Sequence, residues 1–478
     1  PLMSRAVVVG SGPNGLAAAT ILARAGVEVT VLEAADELGG GARNAPELIP
    51  GLVQDHCAAV HPMAAASDYL ATWDLEARGV RWRRAPYDAA HPLDDGTAAL
   101  LSQSIDATAR DLGVDGATWR RMFGSPSRHF AELTEDIFRP MLHVPRHPLL
   151  LARFGAVAGP PPTWVMRLLR TEPGRALFAG VAAHAINRID VPLVGGIGAG
   201  IISAGHAVGW PVVEGGTGVL TRAIIDGLGE LGVRFETGVR VELGRQLPRH
   251  DIAIFDLHPW HVAQILAERM PRRTLAALRH YRPGPAVFKL DLAVADGIPW
   301  RNEEVRRAGT VHLGGAAAEI VEAERAVSLG RMPDRPFVLV GQQFVADPTR
   351  SVGNIHPVYA YAHVPAGFDG DASTAIIDQM DRFAPGIRDR ICATRVQSPA
   401  DMARENPNFI GGDILTGAKL PRQFLLGPRL TAFPYDTGVP GAHICSAATP
   451  PGPGIHGMSG VNAAARALKW LQEHQGRR

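Results

Sequence analysis

Gly10, Gly12 and Gly15, in the run Gly10-Ser-Gly12-Pro-Asn-Gly15, stand at the spacing that lets a chain wrap a diphosphate. What the chemistry asks of them is the absence of side chains. Gly10 turns the chain tightly out of a strand, Gly12 lets backbone approach a pyrophosphate, and Gly15 lets the next helix lie close to the sheet. The start of that helix then offers unpaired N–H groups and a positive dipole end to the phosphates. Glu33 closes a second apolar run, 27–33, where a carboxylate accepts from both ribose hydroxyls of an adenosine and disfavours a 2′-phosphate. A strand signal before the glycines, a helical run over 16–25 after them and the acid at the right distance turn a weak motif into a strong one for a bound dinucleotide.

Two further stretches point at the same ligand. Gly39-Gly40-Gly41-Ala-Arg43 follows Glu33 closely; its glycines permit close approach and Arg43 can neutralise phosphate, the plain alternative being a surface loop. Far along the chain, Ala442-His-Ile-Cys-Ser-Ala-Ala448 reads as a short buried strand. Its Gly/Pro loop runs through Ile455, His456, Gly457 and Met458 into a helical run, 463–472, whose start offers N–H groups to an anion or a carbonyl. His56, His61 and His456 are candidates for a base, because imidazole titrates near neutrality; a hydrogen-bonded structural histidine is the ordinary alternative. Tyr359, Tyr361 and His363 alternate along one run and share a face, either bordering a substrate or filling a core. Tyr435 has the same two readings. No G-x-S-x-G and no H-E-x-x-H occurs, so neither a serine-hydrolase elbow nor a zinc site is expected, and no metal is assigned.

The glycine cluster followed by Arg43 is typical of FAD enzymes with the glutathione-reductase type of fold. Residues 39–63 and 440–465 together resemble the phytoene desaturase-like branch of the FAD-dependent amine oxidase/desaturase superfamily. The resemblance is nearest to the group around pyridine nucleotide-disulfide oxidoreductase domain-containing protein 2, and it runs more weakly over nearly the full length. It implies FAD held between the two ends of the chain by Gly10, Gly12, Gly15, Glu33, Gly40, Gly41 and Arg43, with Ala448, Ile455, Gly457 and Met458 on the other side and Val241 backbone at the adenine edge. It also implies a role for Lys289, since monoamine-oxidase relatives place a lysine, through water, at the flavin. The alternative for Lys289 is the solvent face of an edge strand. Two departures stand out: Cys445-Ser-Ala-Ala-Thr449 lacks the acid many relatives carry, and the hairpin after 239–243 is short.

At 478 residues the chain exceeds one simple core, so two domains are expected. A net charge of +1 gives no case for nucleic acid. Three scattered cysteines without C-x-x-C argue against a flavin-disulfide reductase and for a reducing cytoplasm. Arg far outnumbers Lys, and Ala, Gly and Pro abound, which points to a GC-rich bacterial source. Pro1-Leu2 before Met3 reads as a cloning remnant. Residues 191–213 lack Asp, Glu, Lys and Arg over a membrane-spanning length, but six glycines and two prolines argue for a buried helix and loop instead. Peripheral membrane contact stays open.

The expected organisation is α/β: a discontinuous Rossmann FAD-binding domain of the glutathione-reductase type (4–71, 209–265 and 394–478) and a mixed-sheet, helix-covered substrate domain (72–208 and 266–393). Strands are expected at 233–235, 239–243 and 252–255 in the former. The expected activity is removal of hydride from an apolar small molecule, by desaturation, dehydrogenation or isomerisation, in a tunnel between the domains, with oxygen, a quinone or another acceptor taking the electrons. An amine or amino-acid oxidase is the alternative, and a non-catalytic flavin-binding scaffold is a third reading.

Overall fold

The computed structural model describes residues 4–429 and 431–475; Pro1 and Leu2 lie outside them. Two sheets organise the chain. The first has five parallel strands in the spatial order Ala442–Ile444, Ile252–Phe255, Arg5–Val9, Glu28–Leu32, Arg234–Glu236. Near-continuous β-branched residues, as in Ala6-Val-Val-Val9, suit strands covered on both faces. One face meets Pro13–Arg24, Thr217–Glu230 and Met458–Gln475 through Leu16, Leu220 and Ala467. The other meets Pro259–Ile265 and Arg272–Arg279 through Val262 and Leu278. The helices from the two ends of the chain cross tightly: a Cβ on Gly460 would stand 1.9 Å from the carbonyl oxygen of Asn14.

The second sheet has seven strands in the order Ile391–Gln397, Ala286–Ala295, Ile355–Val364, Val338–Gly341, Ala308–Leu313, Tyr87–Pro92, Ala98–Leu101. All neighbours are antiparallel except Ala308–Leu313 beside Tyr87–Pro92. The period of two sorts its faces. Phe288, Leu290, Val311, Val340 and Ala360 pack on Ile376 and Met380 of the helix Ser373–Phe383. Lys289, Asp291, Thr310, His312, Tyr359 and Tyr361 occupy the opposite face. Helices including Glu172–Ala182 and Gly195–Val208 cover that side.

Two sequence expectations need correction. No strand forms over 239–243, because the side-chain oxygen of Gln246 accepts the Glu242 and Leu243 N–H groups and folds the segment into a turn. The strand expected at 233–235 does form, as Arg234–Glu236, at the edge of the parallel sheet. The boundary expected at 394 falls inside Ile391–Gln397, whose ladder to Ala286–Ala295 carries it into the mixed sheet. Residues 191–213 do form a buried helix and loop, and among the described residues no helix is long and apolar enough to cross a membrane.

Candidate active site

A cavity of about 930 Å³ runs from the glycine turn to the polar face of the mixed sheet. Gly10, Gly12, Glu33, Gly40, Gly41, Arg43, Val241 and Ile455 line it, as do His56, His61, His456, Lys289, Tyr359 and Tyr361. Gly15 sits one turn behind, where a Cβ would stand 2.1 Å from the Gly10 carbonyl oxygen, so only glycine lets the helix approach.

Glu33 is the brace of the glycine turn. It accepts from the Ser11 N–H (2.9 Å), the Ser11 hydroxyl (2.6 Å) and the Ala35 N–H (2.9 Å), and the Ser11 hydroxyl in turn accepts from the Gly39 N–H. The fingerprint and the second glycine patch thereby form one cradle. Two features fit a diphosphate there. The helix Pro13–Arg24 begins at Gly12 with no side-chain cap, and the buried Nε of Arg43 has no hydrogen-bond partner among the described residues. A buried guanidinium N–H without an acceptor is costly, and a phosphate oxygen would relieve it.

Asp256, absent from the sequence-derived candidates, ends the buried strand Ile252–Phe255 at the carboxyl edge where α/β sheets bind ligands. It lies beside Cys445, so the acid missing from the last strand has a counterpart one strand over. Asp256 Oδ2 accepts the Gly15 N–H at 2.9 Å. Burial pushes its carboxyl up to about 7; the Gly15 N–H opposes this and the Glu33 charge adds to it. Below that value the group is neutral and tolerates a neighbouring diphosphate; above it the carboxylate repels one. Dinucleotide affinity should therefore weaken as pH rises through about 7, by up to about tenfold per unit for one linked proton. Asp256→Asn should flatten that dependence; titrations giving the same pH slope for both proteins would refute it.

None of the three candidate histidines is poised near neutrality. Desolvation drives His56 down to about 3, with Arg43, Lys289 and Arg395 adding to the effect. Desolvation also takes His61 to about 4 against the opposing Asp55 charge, and His456 to about 4. Their bonds show what each does. Thr217 donates its hydroxyl proton to the Ala58 carbonyl, so it must accept from His61 Nε2 (2.8 Å), which fixes the tautomer and leaves Nδ1 unprotonated. His456 Nδ1 accepts the Met458 N–H at 3.0 Å, so that amide is not free for a flavin. All three are neutral at physiological pH, and His61 and His456 serve as hydrogen-bonding walls.

Lys289 is buried on an interior strand, not on a solvent edge. Its ammonium donates to the carbonyls of Asp55 (3.1 Å) and His56 (2.9 Å) and lies 2.8 Å from Asp291 Oδ1. It thus fastens the loop after the second glycine patch to the mixed sheet. Behind it, Asp55 accepts from the Thr217 N–H and from the fully buried Arg350, which also binds Asp347 and the Val213 carbonyl. Burial would raise the Asp55 carboxyl, but Arg350 and Thr217 outweigh it and hold it below the usual carboxylate range.

Tyr359 and Tyr361 stack on the wall, their rings 6.3 Å apart and 5° from parallel, and burial raises both hydroxyls far above their ordinary value. Gly341 makes this possible, since a Cβ there would lie 2.0 Å from the Tyr359 ring. His363 and Tyr435, expected beside substrate, are elsewhere. His363 lies one step further along the face, covered by the helix Ala317–Ser328, with Nδ1 2.7 Å from Glu324. Tyr435 is folded under the C-terminal loop and donates to the Pro450 carbonyl. Ala448, Gly457 and Met458 support the loop from behind its cavity face; Gly457 abuts the Tyr69 ring.

This is the architecture of an FAD-dependent oxidoreductase, and comparison with known proteins agrees. The family described as NAD(P)-binding Rossmann-like domain matches residues 8–75. Pyridine nucleotide-disulfide oxidoreductase domain-containing protein 2 of Mus musculus is 23% identical, covering 96% of this chain and 92% of that protein. Hydroxyneurosporene desaturase of Cereibacter sphaeroides is 29% identical over 52% of this chain and 56% of its own length. Wild-type putrescine oxidase bound to putrescine shares the fold with a TM-score of 0.60 at 17% identity, each chain fully covered.

Proposed function

We propose that this chain removes hydride from an apolar small molecule held between its two sheets. The observation that carries the reading is the cavity wall: beyond the dinucleotide cradle it is built from side chains such as Phe154, Ile197, Ile201 and Leu339, with neutral tyrosines and histidines between them. FAD, when bound, supplies the hydride acceptor and passes electrons to oxygen, a quinone or another acceptor. The protein excludes water with the helix Gly195–Val208 and orients substrate across Tyr359 and Tyr361. Because the histidines on the wall are weak bases, one of them takes the proton only slowly once hydride has left, so the substrate cation must persist meanwhile, which suits conjugated or allylic C–H bonds. Anaerobic addition of polyene, isoprenoid or alicyclic compounds should bleach the flavin absorbance; a panel of these that never does so overturns the reading.

The stacked pair Tyr359–Tyr361 supports a second reading, amine oxidation, since two parallel rings can flank an amine nitrogen. Ammonia and peroxide released in equal amounts from offered amines would select it.

A further inference from the structure

The polar face of the mixed sheet carries two cross-strand rows. One reads Lys289, Tyr361, Leu339, His312 and the other Asp291, Tyr359, Gly341, Thr310. Thr310 and His312 are three strands from Lys289, about 14 Å at ordinary strand spacing. This end of the cavity holds polarity that the mechanism leaves unused. Thr310 is 2% exposed and lines the cavity, and its hydroxyl has no hydrogen-bond partner among the described residues. His184, from the turn Ala183–Ala185, lines the same end with its ring edge-on to Trp210.

His184 Nε2 lies 2.8 Å from His312 Nε2. Two neutral imidazoles have two N–H protons, and one of them lies in that bond. The other rests either on His312 Nδ1, which is buried without a partner against Gly180, or on His184 Nδ1. A Cβ on Gly180 would come within 2.9 Å of His312 Nδ1, so that nitrogen packs against the helix Glu172–Ala182, and no acceptor among the described residues faces it. An N–H in that position would go unanswered; on His184 it faces the cavity, where an acceptor can reach it. Desolvation lowers His184 to about 3 and His312 well below its usual value, so the dyad carries no charge at neutral pH.

Taking the cavity as the substrate chamber of the preceding section, we propose that Thr310 and His184 form a subsite for an uncharged oxygen, a carbonyl or hydroxyl, at the end of the apolar substrate remote from Lys289. The Thr310 hydroxyl and His184 Nδ1–H both donate to that oxygen, and Trp210 and Leu339 pack on the adjoining carbons. A carboxylate or ammonium is disfavoured, because the neutral dyad offers no counter-charge.

The probes are decan-2-one and 2-methyldec-1-ene, which replaces the ketone oxygen with a methylene of similar shape. Binding of each is measured by calorimetry to the full-length protein, its Thr310→Val variant and its Thr310→Ser variant. Thr310→Val keeps the shape and removes one donor, so the ketone-to-alkene affinity ratio should fall roughly fivefold or more, and Thr310→Ser should restore it. If both probes bind and the ratio is the same in all three proteins, the subsite is refuted while the apolar chamber stands. If neither probe binds any of the three, the chamber reading fails and takes the subsite with it.

Discussion

Gly15→Ala should yield a protein that purifies colourless and binds added FAD about a hundredfold more weakly, a loss of about 2.7 kcal/mol. The added Cβ would lie 2.1 Å from the Gly10 carbonyl oxygen. Neither atom is at the end of a flexible side chain, so the helix start and the glycine turn must separate, and overpacking of this kind costs about 1–3 kcal/mol in structure alone. That separation also carries away the N–H groups meant for the diphosphate and the Gly15 bond to Asp256. Gly229→Ala is the control: it lies in the helix Thr217–Glu230, and its new Cβ meets nothing within 4 Å. Fluorescence titration of the apoproteins decides the matter. Equal flavin affinity in the Gly15 variant and the parent would show that the cradle does not hold the diphosphate.

Arg350→Met should destabilise the fold by about 3–5 kcal/mol, seen as a lower urea midpoint. Arg350 has no exposed side-chain surface and binds two carboxylates, Asp55 and Asp347, that are themselves buried. Those carboxylates also accept the Thr217 and Gly215 N–H groups, so one guanidinium joins the loop after the glycine patch, the start of the helix Thr217–Glu230 and the segment before Ile355–Val364. Removing it leaves two uncompensated charges inside. Arg350→Lys should recover only part of the loss, because an ammonium cannot span three acceptors in one plane. Since the Asp55 carboxyl is held low in the folded state, its stabilisation is present at neutral pH and is lost as pH falls through its folded value, below the usual carboxylate range. An unchanged midpoint in the Met variant would mean that the network adds nothing.

The cradle was readable from sequence because its requirement is local: three glycines, one acid, and two strands and a helix within 33 residues. The polar face of the mixed sheet was half readable. The alternation of Tyr359, Tyr361 and His363 placed them together, but which of them meets the cavity depends on the helix Ala317–Ser328, whose Glu324 holds His363. Lys289 was ambiguous because its partners are main-chain carbonyls 233 and 234 residues away, and no residue type announces them. The same holds for Arg350 with Asp55, 295 residues apart, and for His184 with His312. Asp256 was within reach, since a carboxylate at the end of a central parallel strand is the position such sheets use for ligands.

The tight crossing of Asn14 and Gly460 sets an order of assembly. The strand Arg5–Val9 pairs early with Glu28–Leu32, but the helix Pro13–Arg24 lacks one covering neighbour until the helix Met458–Gln475 has been synthesised, over four hundred positions later. Ala17 and Ala18, which lie against Gly457 and Gly460, would wait uncovered on that side through most of translation. Closure over so long a loop is slow, and exposed apolar strands aggregate meanwhile. During synthesis the early half of the cradle is a client for chaperones, and coenzyme capture belongs to the last moments of folding.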